Sequence, residues 1–126
     1  MKINLSICCI SLIISFFLFS CKNEKVQILD SSPDKKIKIT ILGEKSSTVD
    51  PFMVNIKTEG YGYNETISTE IYASTLDSNN VKFNWRNNKE CYFIFLQQDN
   101  TVRRMHLKID DEQIMLNEEG SNSELP

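Results

Sequence analysis

From Lys36 onward the chain alternates apolar and polar residues one by one, and a period of two points to β-structure. Ile37, Ile39 and Ile41 fall on one side of an extended backbone, with Lys36, Lys38 and Thr40 on the other. The same alternation returns in Phe52, Val54 and Ile56, and again in Ile67, Thr69, Ile71 and Ala73. Val81, Phe83 and Trp85 oppose Lys82, Asn84 and Arg86, and Met105, Leu107 and Ile109 oppose Arg104, His106 and Lys108. Cys91 to Leu96 is apolar at nearly every position, which reads as a central strand or one covered on both sides. Beyond residue 20 no window of about 11 residues or more carries a helical period.

Turn chemistry divides these runs. Ser31-Ser32-Pro33-Asp34, Gly60-Tyr61-Gly62-Tyr63-Asn64, Ser78-Asn79-Asn80, Asn87-Asn88-Lys89 and Asp99-Asn100 supply residues that favour tight turns. Gly43 is expected to end the first alternating strand, and 43–51 to be a polar loop. Ile, Val, Thr, Phe and Tyr dominate the runs, as β-structure prefers. The expectation is an all-β domain, a small antiparallel sandwich or barrel-like fold of about seven short strands. Its core is expected to centre on Phe83, Trp85, Phe93 and Phe95. Val26 to Leu29 is either a short first strand or part of a tether, with Ile114 to Leu116 a last edge strand or half a turn of helix.

The first twenty residues are of another kind. Met1-Lys2 precedes an uncharged apolar run from Ile3 to Ser20, the n-region and h-region of a secretory signal. A run of about 18 residues is also at the lower limit for crossing a bilayer, so length leaves a spanning anchor open. Of the four cysteines, Cys8 and Cys9 lie inside this segment, leaving Cys21 and Cys91 beyond it. A disulfide-stapled scaffold is therefore not expected, and the domain must be held by its apolar core. Cys91, between Glu90 and Tyr92, is expected to be buried as a small hydrophobe.

Leu18-Phe19-Ser20-Cys21 resembles the lipobox of bacterial lipoproteins. Leu stands third before the cysteine and small Ser directly before it, while Phe19 departs from the commoner small or β-branched residue. The resemblance implies cleavage before Cys21, a diacylglycerol on its thiol and acylation of the new amino terminus. Two or more chains hold a protein to a membrane stably. Lys22, rather than Asp, follows the cysteine. In bacteria that retain lipoproteins at the inner membrane through Asp at that position, this favours the outer membrane. The implied division is a signal peptide at 1–20, a lipidated cysteine and polar tether at 21–35, a β domain at 36–116 and an acidic flexible tail at 117–126.

The Ser32-Pro33-Asp34-Lys35-Lys36 turn also resembles the Ser-Pro-Asp-Gly-Lys turn of β-propeller blades, with Lys35 in the place of Gly. A domain of this length cannot supply the four or more blades that closure needs. The same turn, followed by a tryptophan strand paired with an apolar one, resembles a group of small exported bacterial proteins over most of 31–109. That resemblance implies a compact β domain and no particular activity. The Phe- and Ile-rich signal and the Asn- and Lys-rich composition also look like Bacteroidetes lipoproteins.

Charge and chemistry narrow the function classes. The net charge is −3. Residues 22–109 are nearly balanced, whereas Asp110, Asp111, Glu112, Glu118, Glu119 and Glu124 crowd the last seventeen residues without a basic partner. Neither part has the basic stripe that nucleic acid requires. The acidic tail reads as a solvated terminus. His106 is the one histidine, and Arg104 and Lys108 beside it on its own strand disfavour a metal ion there. No phosphate loop, nucleophile elbow or zinc-protease motif is present, so no catalytic residue, metal or cofactor is expected.

Two features are candidates for binding. Arg104, His106 and Lys108 form an outward row, suited to an anionic polymer or an acidic envelope protein, and equally to a solvated strand face that keeps the sheet soluble. Tyr61 and Tyr63, in a Gly-flanked loop, suit contacts with protein or sugar, or packing back onto the core. The leading expectation is a non-catalytic, lipid-anchored binding or structural module of the cell envelope, held at the membrane by its lipid. An inhibitor or immunity-type protein presenting the Gly60–Asn64 loop, and a small envelope hydrolase using distant carboxylates, are the alternatives.

Overall fold

A computed structural model describes residues 23–111 and 113–119. The expected signal peptide, Cys21 and the end of the acidic tail lie outside the described residues. The domain is all-β, with eight antiparallel strands: β1 (Glu24–Ser31), β2 (Ile37–Lys45), β3 (Phe52–Gly60), β4 (Tyr63–Ile71), β5 (Val81–Asn87), β6 (Glu90–Leu96), β7 (Val102–Asp110) and β8 (Gln113–Glu119). They form two four-stranded sheets, in the orders β1-β2-β3-β4 and β5-β6-β7-β8. Each strand pairs with its neighbour in sequence, so both sheets are meanders. Residues 72–80 carry the chain from one sheet to the other. No strand ladder joins the two sheets, and a sandwich rather than a barrel results.

The alternation decides which face is covered. Ile37, Ile39 and Ile41 from β2 and Phe52, Val54 and Ile56 from β3 meet Cys91, Phe93 and Phe95 from β6 and Met105, Leu107 and Ile109 from β7 in one buried cluster. Phe93 and Phe95 sit at its centre, while Phe83 and Trp85 are only partly buried against it. Trp85 is at the rim because β5 is an edge strand. There its indole Nε1 donates to Asp30 Oδ2 on β1 at 2.8 Å, tying the two sheets together along that edge.

Several boundaries differ from the sequence expectations. Residues 24–31 are strand β1, paired along their whole length with β2, so most of the expected tether belongs to the sheet. Val26 and Ile28 pack on the core, which the polar residues between them conceal in a short window. Gly43 does not end β2, which runs on to Lys45. A Cβ at Gly43 would lie 2.6 Å from Leu76 Cδ1, so the glycine makes room for the buried Leu76 of the inter-sheet connection. β8 runs to Glu119, taking in the start of what was expected to be the tail.

The Ser-Pro-Asp turn is closed by its own side chains. Ser32, fully buried, donates through Oγ to Asp34 Oδ1 at 2.6 Å and accepts from the Ile37 amide at 3.0 Å. Asp34 is held below the ordinary carboxylate range, chiefly by that Ser32 hydrogen bond. Lys35 takes φ 63°, the left-handed region in which the propeller-type turn has Gly. The left-handed conformation costs a non-glycine residue about 1–2 kcal/mol, and glycine gives back part of that through its freer unfolded chain. Lys35→Gly is therefore expected to stabilise the domain by roughly 0.5–1 kcal/mol, read as a raised urea midpoint at unchanged slope. A lowered midpoint would show that the lysine side chain contributes more than its backbone costs.

Candidate functional site

The outer face of the second sheet gathers planar and charged side chains from all four strands. Register sets the rows: Asn84, Tyr92, His106 and Asn117 lie side by side, and the next row is Lys82, Ile94, Arg104 and Glu119. Between Trp85 and Asn87 the β5–β6 register shifts, with Arg86 the extra residue of a bulge. Bulges bend a strand and re-aim a side chain. Here the Arg86 guanidinium carbon lies 4.7 Å from the Tyr92 ring centroid.

Tyr92 is the centre of the cluster. Its ring stacks on His106 with centroids 4.3 Å apart and planes within 5°. The Arg104 guanidinium carbon is 5.2 Å from the same ring. Cation–π contacts of this kind contribute about 0.5–1 kcal/mol each where water has access. Two carboxylates hold the cluster from its sides. Glu90 Oε1 is 3.0 Å from His106 Nε2, and Glu119 approaches His106 Nδ1 at 3.6 Å and Arg104 Nη1 at 3.5 Å. The His106 hydrogen bond, with smaller help from Tyr92 and Lys108, holds Glu90 below the ordinary carboxylate range. A carboxylate depressed on folding stabilises the fold above its unfolded pKa, and that contribution is lost as the pH falls through the folded value. Glu90 thus remains ionised at neutral pH and in mild acid.

Arg104 and His106 from the expected row are brought together here, and Lys108 flanks them, paired in register with Glu90 and Met115. His106 does not stand among cations alone: the carboxylates beside it come from β6 and β8, which reading along its own strand cannot find. Tyr92 and Glu119 were missed. The signal for Tyr92 was its parity: with Cys91, Phe93 and Phe95 inward, it must face outward. Ile94 is buried on that outer face without a second layer above it. Its row places it between Lys82 and Arg104, long side chains whose stems cover apolar surface.

Among the described residues, Arg86 and Lys108 have no carboxylate within ion-pair distance, and Arg104 Nε is buried without a hydrogen-bond partner. Lys82 donates to the Ser78 carbonyl at 2.7 Å. Four cations against three carboxylates, Asp110 sharing the outward parity of Lys108, leave the face slightly positive within an acidic chain.

Tyr61 and Tyr63 lie on the other sheet, in the β3–β4 hairpin. Tyr61 (φ 54°) and Gly62 (φ 79°) form its two-residue turn, both in the left-handed region that matches strand twist. The tyrosines are 41% and 46% exposed, so they do not fold back into the core. Lys89 Nζ of the β5–β6 turn lies 5.7 Å from the Tyr61 ring centroid. Among the described residues, no group of three or more histidine, cysteine or acidic side chains is placed to hold a metal ion.

Comparison with known proteins gives no match: no protein-family model fits the chain, no characterised sequence is significantly similar to it, and no solved structure matches it. The class is defined by architecture alone, a two-sheet antiparallel β-sandwich with a cationic aromatic cluster on one outer face.

Proposed function

We propose that this chain is a lipid-anchored, non-catalytic binding module of the cell envelope, held by acylated Cys21 and presenting the Tyr92 face to an anionic polymer. The observation that carries the ligand side is the Arg86–Tyr92–His106 stack, standing across three strands, with Arg86 and Lys108 free of carboxylate partners among the described residues. A stiff planar stack flanked by Arg86 and Lys108 offers charge at low ordering cost. Glu90 and Glu119 are engaged in orienting His106 and Arg104, which suits holding a ligand better than moving protons. The lipobox-like Leu18–Cys21 segment supports the anchor and, with Lys22, an outer-membrane destination.

Two measurements test the proposal. Metabolic labelling with an alkyne fatty acid should mark the wild-type protein and leave Cys21→Ala unmarked; equal labelling of both would remove the anchor. Detergent-solubilised full-length protein should bind fluorescent dextran sulfate in preference to neutral dextran, with affinity falling as salt rises. Arg86→Ala with Lys108→Ala should weaken that binding about tenfold, ~1.4 kcal/mol. Unchanged affinity, or equal binding of neutral dextran, would eliminate the face as an anion seat.

The hairpin supports a second reading, an inhibitor that inserts Tyr61 and Tyr63 into an envelope enzyme or toxin. Their exposure on a tight, pre-set turn is the observation that favours it. Capture of an envelope protein abolished by Tyr61→Ala with Tyr63→Ala, and untouched by the Arg86 and Lys108 changes, would select it.

A further inference from the structure

The two ends of the sandwich are not alike. At one end lie the turns of all four within-sheet hairpins that begin at β1, β3, β5 and β7. At the other lie the start of β1, the β2–β3 loop 46–51, the inter-sheet connection 72–80, the β6–β7 loop 97–101 and the end of β8. Contacts between the sheets confirm that these ends coincide. Tyr72 N donates to Gln97 Oε1 at 3.0 Å and Gln98 N to the Tyr72 carbonyl at 2.9 Å at the second end, while Lys89 meets Tyr61 at the first.

Only Lys22 and Asn23 separate Cys21 from Glu24, the first residue of β1. Three extended residue steps span at most about 10 Å. A domain anchored through Cys21 therefore cannot stand off from the lipid: the end where β1 starts is held against it. A shallow cavity of about 170 Å³ lined by Glu24, Lys45, Ser47, Thr48 and Ser74 sets the β2–β3 loop and the inter-sheet connection beside that starting point.

This end also carries exposed apolar and aromatic side chains on three separate segments. Val49 in the β2–β3 loop is 87% exposed, Tyr72 just after β4 53% and Leu96 at the end of β6 40%. The Val49 loop is stiffened by Asp50, whose Oδ2 accepts from Ser46 and Ser47 at 2.7 and 2.9 Å. A single exposed apolar residue is ordinary, but a tether this short turns a weak contact into an intramolecular one at high effective concentration. A tyrosine suits the headgroup level, where one side of the ring is apolar and its hydroxyl is wet.

We propose that the end bearing Val49, Tyr72 and Leu96 seats on the lipid surface as a second, non-covalent membrane contact, which rests on the anchored reading above. The surface it fits is zwitterionic. Around this end Glu24, Glu44, Asp50, Glu70, Asp77 and Asp99 outnumber Lys25, Lys45 and Lys82, and anionic headgroups would repel that excess. Seated this way, the Tyr92 face stands upright on the membrane and the Tyr61–Tyr63 hairpin points away from it.

The test uses full-length acylated protein in phosphatidylcholine vesicles. Val49→Cys and, as the distal control, Asn88→Cys each carry a nitrobenzoxadiazole label. Cys91 is fully buried and does not compete for it. Nitroxide-bearing lipids should quench the Val49 label at least twofold more than the Asn88 label, and phosphatidylglycerol should reduce the difference. Equal quenching of the two labels on acylated protein overturns this inference alone, as does a difference that grows with phosphatidylglycerol. Failure of Cys21 to carry an acyl chain in the same preparation overturns both this inference and the anchored reading.

Discussion

Phe93→Ala is expected to destabilise the domain by ~3–5 kcal/mol, the usual range for emptying a core aromatic. Phe93 is fully buried on β6, an interior strand of its sheet. Its ring lies 5.5 Å from Phe83 and 6.2 Å from Phe95, centroid to centroid, and Met105 is its register partner on β7, so the cavity left behind would be walled by side chains fixed on β5, β6 and β7. Sheets held in register on both sides cannot collapse into that space. A loss of this size is a large share of the 5–15 kcal/mol typical of small domains. Cys91, two residues away on the same inward face, supplies a second readout. Burial pushes its thiol up to about 12 and hides it, so thiol reagents reach it only through opening of the core. Urea melts should show the lost stability, and Cys91 labelling should accelerate by the corresponding factor. A loss below about 1 kcal/mol would mean that this ring is not central.

Arg103→Ala is expected to cost ~2–3 kcal/mol, the second-largest effect. By parity Arg103 points inward with Met105 and Leu107, but it sits at the end of β7, where an arginine can cross between the sheets. Its Nη1 donates to the Glu70 carbonyl at 2.9 Å and Nη2 to Thr69 Oγ1 at 2.6 Å, both on β4, while Nε pairs with Glu118 on β8. Glu118 is also the main reason the guanidinium is held more tightly protonated than usual. Hydrogen bonds to a charged group contribute about 1.5–3 kcal/mol each, less in sum because the site is partly wet and its partners can turn to water. Arg103→Lys should recover little of the loss, since one ammonium cannot reach three acceptors held in a fork. A lysine variant as stable as the parent would show that charge alone closes this edge.

These two residues illustrate how much of the fold was legible in the chain. Phe93 was readable as core because its strand is apolar at nearly every position, although the strand's own residues do not say which of its faces turns inward. Arg103 was not, since one step of parity makes it inward and nothing in the sequence says that β7 begins beside β4. Trp85 shares the inward parity of Val81 and Phe83, but its place at the rim follows from β5 being an edge strand. Gly43 looked like a strand end because glycine often marks one, and only the approach of Leu76 explains it. The candidate site divides in the same way. Arg104, His106 and Lys108 share a face by spacing alone, whereas the Tyr92 stack depends on the β5 bulge at Arg86 and on β6–β7 register.

By itself, then, the sequence determined an all-β domain, the inward residues of most strands, the closing turns, and an apolar amino-terminal run whose Leu18–Cys21 end resembles a lipidation signal. Those are properties of neighbours along the chain, where side-chain parity and turn chemistry act over a few residues. Tertiary structure alone decided that residues 24–31 complete the first sheet, that carboxylates from β6 and β8 flank His106, and that the strand nearest Cys21 begins at the end bearing Val49, Tyr72 and Leu96. Each depends on which strands lie side by side and at what register. That is settled by burying two apolar faces against each other, a condition on the whole domain that no short stretch of residues records.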